Sequence, residues 1–99
     1  MPEVEVARND ELSRYEARVG GRVAGVTEFE VTEHAITFVH TEVDPAFEGQ
    51  GVGSALAKGA LDDALNRGDR RVKVVCPFLR AWVERHPDYA ARLTLAADR

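Results

Sequence analysis

Val43-Asp44-Pro45-Ala46-Phe47-Glu48-Gly49-Gln50-Gly51-Val52-Gly53-Ser54 joins an apolar strand pattern to a helical one, and its reading decides the fold. Gly49, Gly51 and Gly53 stand at alternate positions. Such spacing lets backbone N–H groups converge at a helix start, where free donors and the helix dipole bind an anion such as phosphate. Glycine loops also serve as plain turns, so the flanks matter. Downstream, Val52, Leu56, Ala60 and Ala64 recur every four residues beside Ala57, Leu61 and Leu65, which predicts a helix over 51–67 ended by Gly68. Upstream, Ile36 and Phe38 alternate with Thr37 and Val39, so Ala35 to Val43 reads as a strand apolar enough on both faces to be central.

Further out, Val4 to Ala7 is a short strand closed by the turn residues Asn9-Asp10-Glu11. Tyr15 to Val19, Gly20-Gly21 and Val23 to Val31 read as a hairpin, with Val23, Thr27, Phe29 and Val31 expected on one face and Glu28 and Glu30 on the other. Beyond the helix, Val72, Val74 and Val75 make Arg71 to Cys76 a strand too apolar for a sheet edge. Strand, helix and strand in one sheet imply a right-handed crossover and parallel pairing. Pro77 opens a second helix, Phe78 to Arg85, broken by His86-Pro87, and the tail from Asp88 reads as a short helix that frays at Asp98-Arg99. The fold class is α/β (α+β): one domain over 1–99 with a mixed, mainly antiparallel sheet, a central parallel pair and two to three helices.

The 99 residues, 44% hydrophobic and 30% charged, match one globular domain that folds alone and leave no room for a second. No apolar run is long enough to span a bilayer, and Met1-Pro2-Glu3 does not begin a signal peptide, so a cytoplasmic protein with no membrane partner is expected. One cysteine, Cys76, rules out an internal disulfide, and three scattered histidines (His34, His40 and His86) lack the paired spacing of a metal site. A net charge of -4 argues against nucleic acid as a partner. The charge is divided: four Arg face eleven Asp or Glu through Glu48, and nine Lys or Arg face six acids from Gly49 onward. That division suits a cationic substrate on one side and an anionic cofactor on the other. It is equally compatible with ordinary solvated surface.

Of two other phosphate folds, what is missing excludes one and disfavours the second. A Walker A loop needs Gly-Lys-Ser/Thr, whereas Gly53 is followed by Ser54 and Ala55. A dinucleotide fingerprint belongs on the first strand of a larger parallel sheet, and here antiparallel strands come first.

Val43-Asp44-Pro45 followed by Gly49-Gln50-Gly51-Val52-Gly53 resembles motif A of the GCN5-related N-acetyltransferases, a Val-x-Pro strand end and then Arg/Gln-x-x-Gly-x-Gly/Ala. With His40-Thr41-Glu42-Val43, Cys76 and His86-Pro87, nearly the whole chain resembles the minimal single-domain branch of that superfamily, which carries a characteristic cysteine and glycine. The resemblance implies a parallel pair splayed at the cofactor site and acetyl-CoA as cofactor. Backbone amides of Gln50, Gly51, Val52, Gly53 and Ser54 would hold the coenzyme A pyrophosphate. Main-chain groups of Thr41, Glu42 and Val43 would meet the pantetheine arm and thioester carbonyl. One departure stands out: Glu48 occupies the position where Arg or Gln is usual.

The family's usual acid, a tyrosine on the helix after the last strand, is missing from Phe78-Leu-Arg-Ala-Trp-Val-Glu-Arg85, and Tyr89 lies beyond it. Cys76 stands at the strand end, where a thiol could act as acid, orienting group or transiently acetylated nucleophile, or could simply pack. Attack requires a neutral amine, so a base is needed; His40 and Glu42 share one strand face beside the cleft and are the candidates. The alternatives are a structural histidine, and a Glu42 paired with Arg71 or Lys73. Phe78 and Trp82 read as core, with Phe78 retained as a cofactor contact, and His86 reads as a helix stop. The expected function is N-acetyl transfer from acetyl-CoA to an exposed amine of a peptide, polyamine or protein lysine. The alternative is a non-catalytic coenzyme A or acyl-CoA binding module. Little chain before the first strand, and none beyond the second helix to build a lid, imply an open acceptor site.

Overall fold

The computed structural model describes residues 3–97, and Asp98-Arg99, where fraying was expected, lie outside the described residues. Five strands form one sheet in chain order: β1 (Val4–Asn9), β2 (Arg14–Val19), β3 (Arg22–Val31), β4 (Ala35–Val43) and β5 (Arg71–Val74). The first four run antiparallel, and β4 and β5 are parallel over Ala35–Phe38 and Arg71–Val74. Gly20 and Gly21, both at positive φ, close the β2–β3 hairpin as expected. Helix α1 (Val52–Arg67) is the crossover, bounded by left-handed Gly51 and Gly68, and a 3-10 turn at Pro45–Phe47 precedes it. Helices α2 (Pro77–Glu84) and α3 (Pro87–Ala97) complete the chain.

The parallel pair differs from expectation in one respect: it is not central. Among the described residues β5 pairs only with β4 and is an edge strand. Its apolar residues are explained by helix packing, since α3 lies against β5 and buries Val72 to 4% exposure. The exposed Arg71 and Lys73 keep that edge from pairing further. β5 also stops at Val74, two residues earlier than its pattern implied.

All helices pack on one face of the sheet. Tyr15, Phe29 and Phe38 cluster there with ring centroids 5.6 to 6.2 Å apart, under Leu56, Ala57, Ala60, Leu61 and Ala64 of α1. The small residues allow close approach, and at Gly59 any Cβ would stand 2.8 Å from the Cβ of Val6. Polar clamps seal the C-terminal half of α1. Tyr15 donates to Asp63 at 2.6 Å, Arg67 to Asp63 at 2.7 Å, and Tyr89 and Arg92 to Asp62 at 2.7 and 3.0 Å. Burial alone would raise the Asp62 carboxyl, but hydrogen bonds from Tyr89, Lys58 and Arg92 outweigh it and hold it below the usual carboxylate range. Burial, reinforced by the bond to Asp63, pushes the Tyr15 hydroxyl well above the ordinary tyrosine value.

Two bulges set the opposite, helix-free face. Ala24 has no partner between Ala17↔Gly25 and Arg18↔Val23, and Val39 has none between Phe29↔Phe38 and Glu28↔His40. An extra residue reverses the alternation of side chains. Val23 therefore leaves the face of Thr27 and Phe29 on which it was expected, and joins Arg18 and Val26 on the open face. Likewise Phe38 faces the core, but His40 and Glu42 face solvent while Thr41 and Val43 turn inward.

Candidate active site

The ladder between β4 and β5 ends at one point. The N–H groups of Val75 and Cys76 both donate to the Phe38 carbonyl, at 2.9 and 3.0 Å, and beyond it β4 continues to Val43 without its neighbour. Asp44 N–H bonds to Ala24 O, so the antiparallel alternation directs the main-chain groups of Glu42 to Val26 and those of Thr41 and Val43 into the gap. Of the three residues named for main-chain contacts, Thr41 and Val43 turn their backbone groups toward the gap and Glu42 turns its own toward β3. Glu42 is left with its side chain.

Next to the gap lies the N-terminus of α1. Gly51 holds φ 76°, a conformation glycine adopts without strain, and provides no side-chain cap. The first helical bond runs from Ala55 N–H to Gly51 O, so the N–H groups of Val52, Gly53 and Ser54 have no intrahelical acceptor. A turn rich in free donors fits a phosphate group, and the amides of Gln50, Gly51, Val52, Gly53 and Ser54 make up that turn. Glu48, the departure from the motif, is exposed at the end of the 3-10 turn.

The Phe78 ring lies over this loop: a Cβ on Gly53 would come within 2.7 Å of Phe78 Cζ. Phe78 and Val75 are exposed at 39% and 57%, and they form an apolar rim. Trp82 is core, as expected, and it also donates its indole N–H to Ser54 Oγ at 3.1 Å, tying α2 to the loop. His86 stacks on Trp82 with centroids 3.8 Å apart and bonds through Nδ1 to Trp82 O at 2.7 Å, a structural role.

Cys76 is buried at 2% exposure, and its thiol donates to Thr41 Oγ1 at 3.2 Å across the base of the gap. Thr41 continues to Thr27 Oγ1 at 2.8 Å, and Thr27 reaches His40 O at 3.3 Å. On the open face His40 Nε2 and Glu42 Oε1 are 3.0 Å apart, so Glu42 pairs with His40 and not with Arg71 or Lys73. Beside Glu42 is a cleft of about 650 Å³ bounded by Arg14, Val23–Val26 and Glu42–Pro45.

Sequence reading missed two residues here. Arg14 lines the cleft, and Glu16, 6% exposed, fixes it through bonds of 2.9 and 2.8 Å. Arg18 and Asn9 also donate to Glu16. Hydrogen bonding by Arg14 holds the Glu16 carboxyl below its usual range, with Arg18 and Asn9 helping to offset the effect of burial. The alternation Arg14-x-Glu16-x-Arg18 was the available signal, because it puts all three on one face of a strand.

The family model described as GCN5-related N-acetyl-transferase matches residues 14–93, and the chain belongs to that family. Among its relatives, Protein NATD1 of Bos taurus is 35% identical over 65 residues, covering 64% of this chain and 57% of that protein. Protein NATD1 of Xenopus tropicalis is 32% identical over 65 residues, covering 64% and 59%. The chain thus spans less than two thirds of these relatives' length. Two solved structures share the fold. A GCN5-like protein of Staphylococcus aureus aligns over 91% of this chain and 87% of its own, with a TM-score of 0.63 and 20% identity. The ribosomal-protein-S18-alanine N-acetyltransferase of Escherichia coli aligns over 68% and 43%, with a TM-score of 0.56 and 22% identity. Among the described residues no helix is long and apolar enough to cross a membrane.

Proposed function

We propose that this chain is an acetyl-CoA-dependent N-acetyltransferase acting on a primary amine presented at the open face of the sheet. The observation that carries this reading is the parting of β4 from β5 beyond Phe38, beside an uncapped helix N-terminus. The gap links the helix face, where phosphate donors lie, to the open face, where His40 and Glu42 lie. Family membership supports the same chemistry.

Acetyl-CoA, when bound, supplies an acetyl thioester. The amides of Gln50 through Ser54 would hold its pyrophosphate, and the main chain of Thr41 and Val43 would orient its arm, with Val75 and Phe78 as apolar walls. A fixed N–H in the gap stabilises negative charge developing on an acyl oxygen. His40, hydrogen-bonded to Glu42, takes the proton from the incoming ammonium, directly or through water. Cys76 is engaged with Thr41 and buried, which favours direct transfer over an acyl-enzyme. Its thiol is the candidate proton donor to the departing sulfur, because α2 carries no tyrosine and Tyr89 is bound to Asp62.

The test begins with thermal unfolding in the presence of acetyl-CoA, CoA and NADH. A ligand that binds only the folded state raises stability by RT ln(1 + [L]/Kd). Both CoA forms should raise it and NADH should not; no shift up to about a millimolar removes the reading. Mass-detected transfer to an amine panel follows, and the paired change His40→Gln with Glu42→Gln should lower kcat/KM by about a hundredfold or more. Acetylated Cys76 in the intact protein would replace direct transfer by a two-step route. The missing tyrosine also motivates a second reading, a coenzyme A binding module. Stabilisation by CoA with no acetylation of any amine would favour it.

A further inference from the structure

The cleft on the open face is not uniformly acidic. At its β4 side stand the carboxylates of Glu42 and Asp44; at its β2 side stands the guanidinium of Arg14. Val23, Val26 and Pro45 form an apolar stretch along it. The guanidinium is fixed, since Arg14 Nε and Nη2 both bond to Glu16, which Arg18 and Asn9 hold from other directions. Arg14 Nη1 has no partner among the described residues. The carboxylates retain acceptor capacity, because Asp44 accepts only at Oδ1, from Ala46 N–H, and Glu42 is engaged only at Oε1, by His40.

We infer that this cleft selects acceptors in which the primary amine is joined through a short apolar spacer to a carboxylate, as in free or C-terminal lysine, and disfavours polyamines. The inference rests on the acetyl-transfer reading for its chemistry but not for its binding site. The cationic end lies by Glu42 and Asp44, next to the gap at Val43; the anionic end meets the unused donors of Arg14, a charge-assisted bond. Strands β2 and β4 are two strand spacings apart, about 10 Å, which suits a spacer of about five methylenes. A second ammonium at the far end of a diamine would offer Arg14 Nη1 no acceptor. Glu16 acts as a positioning residue. It touches no ligand, and its charge holds the Arg14 fork in one orientation while leaving Nη1 free.

The experiment compares 6-aminohexanoate, hexylamine, hexanoate and cadaverine as ligands of the full chain, by amide chemical-shift titration with CoA present and absent, and as acceptors with acetyl-CoA. Hydrogen bonds to charged groups predict that 6-aminohexanoate binds about ten- to a hundredfold more tightly than hexylamine or cadaverine. Hexanoate should bind weakly. Arg14→Gln should bring the ratio of 6-aminohexanoate to hexylamine close to one. Arg14→Lys, which keeps the charge beside Glu16 but loses the fork, should leave an intermediate ratio, and Glu16→Gln should lower the ratio less than Arg14→Gln. Equal binding of 6-aminohexanoate and hexylamine, or a ratio unmoved in folded Arg14→Gln and Arg14→Lys, overturns the inference even if acetylation proceeds. Preferential binding without acetylation of any ligand upholds the cleft and removes the transfer reading instead.

Discussion

The two ends of helix α1 are built on opposite terms. At its C-terminal half, Asp62 and Asp63 each receive a buried tyrosine hydroxyl and at least one cation, and Leu61 and Ala64 are sealed against the sheet. At its N-terminus three N–H groups have no partner among the described residues, the flanking strands part, and Val75 and Phe78 stay exposed. The closed end supplies the rigidity that holds the open end's unsatisfied groups in place. Open N–H groups at a helix start are satisfied by water or by a ligand, and a helix fixed elsewhere holds them in one geometry.

The contrast can be broken first at its foundation. Leu61→Ala removes a fully buried side chain at the closed end and should cost about 2–5 kcal/mol in chemical denaturation. A loss below that range would mean that α1 is held mainly elsewhere.

A finer comparison sets one hydrogen bond against another. Asp63→Ala strands the hydroxyl of Tyr15, 1% exposed, and should cost about 1–3 kcal/mol with CoA-induced stabilisation retained. Thr41→Val at the open end removes the link to Cys76 but leaves Thr27 bonded to His40 O, so it should cost under about 1 kcal/mol while lowering acetyl transfer. Equal losses of stability would erase the distinction between foundation and site.

The smallest effect is a slope with pH. Asp62 and Asp63 have folded-state pKa values held below their unfolded ones, despite burial, by hydrogen bonds from Tyr89, Lys58 and Arg92 and from Tyr15 and Arg67 respectively. Arg14 and its neighbours do the same for Glu16. A depressed carboxylate contributes stability that is present above the unfolded pKa, about 4, and is lost as pH falls through the folded value. Denaturant midpoints should therefore be flat near neutrality and decline below about pH 4. Asp63→Ala should flatten part of that decline, whereas Thr41→Val should not.

Much of the fold was legible because its signals are local. The spacing of Val52, Leu56 and Ala60 reports one buried stripe of a helix, Gly51 and Gly68 mark its ends, and Gly20-Gly21 marks a hairpin. The glycine loop was legible for the same reason, since a helix start is specified by a few adjacent residues. The edge position of β5 was not. Val72 and Val74 signal burial without saying whether a strand or a helix covers them, and here α3 does.

The sequence by itself determined the element order, the parallel crossover, the family motif and the residues Gln50 to Ser54, all of which depend on neighbours along the chain. Only the tertiary structure decided which way β4 faces. The bulges at Ala24 and Val39 arise from cross-strand register, which no single strand encodes, and each reverses the alternation beyond it. Those reversals send Thr41 inward to Cys76 and His40 and Glu42 outward. They also bring Val23, from the opposite side of its expected pattern, into the cleft that Arg14 closes.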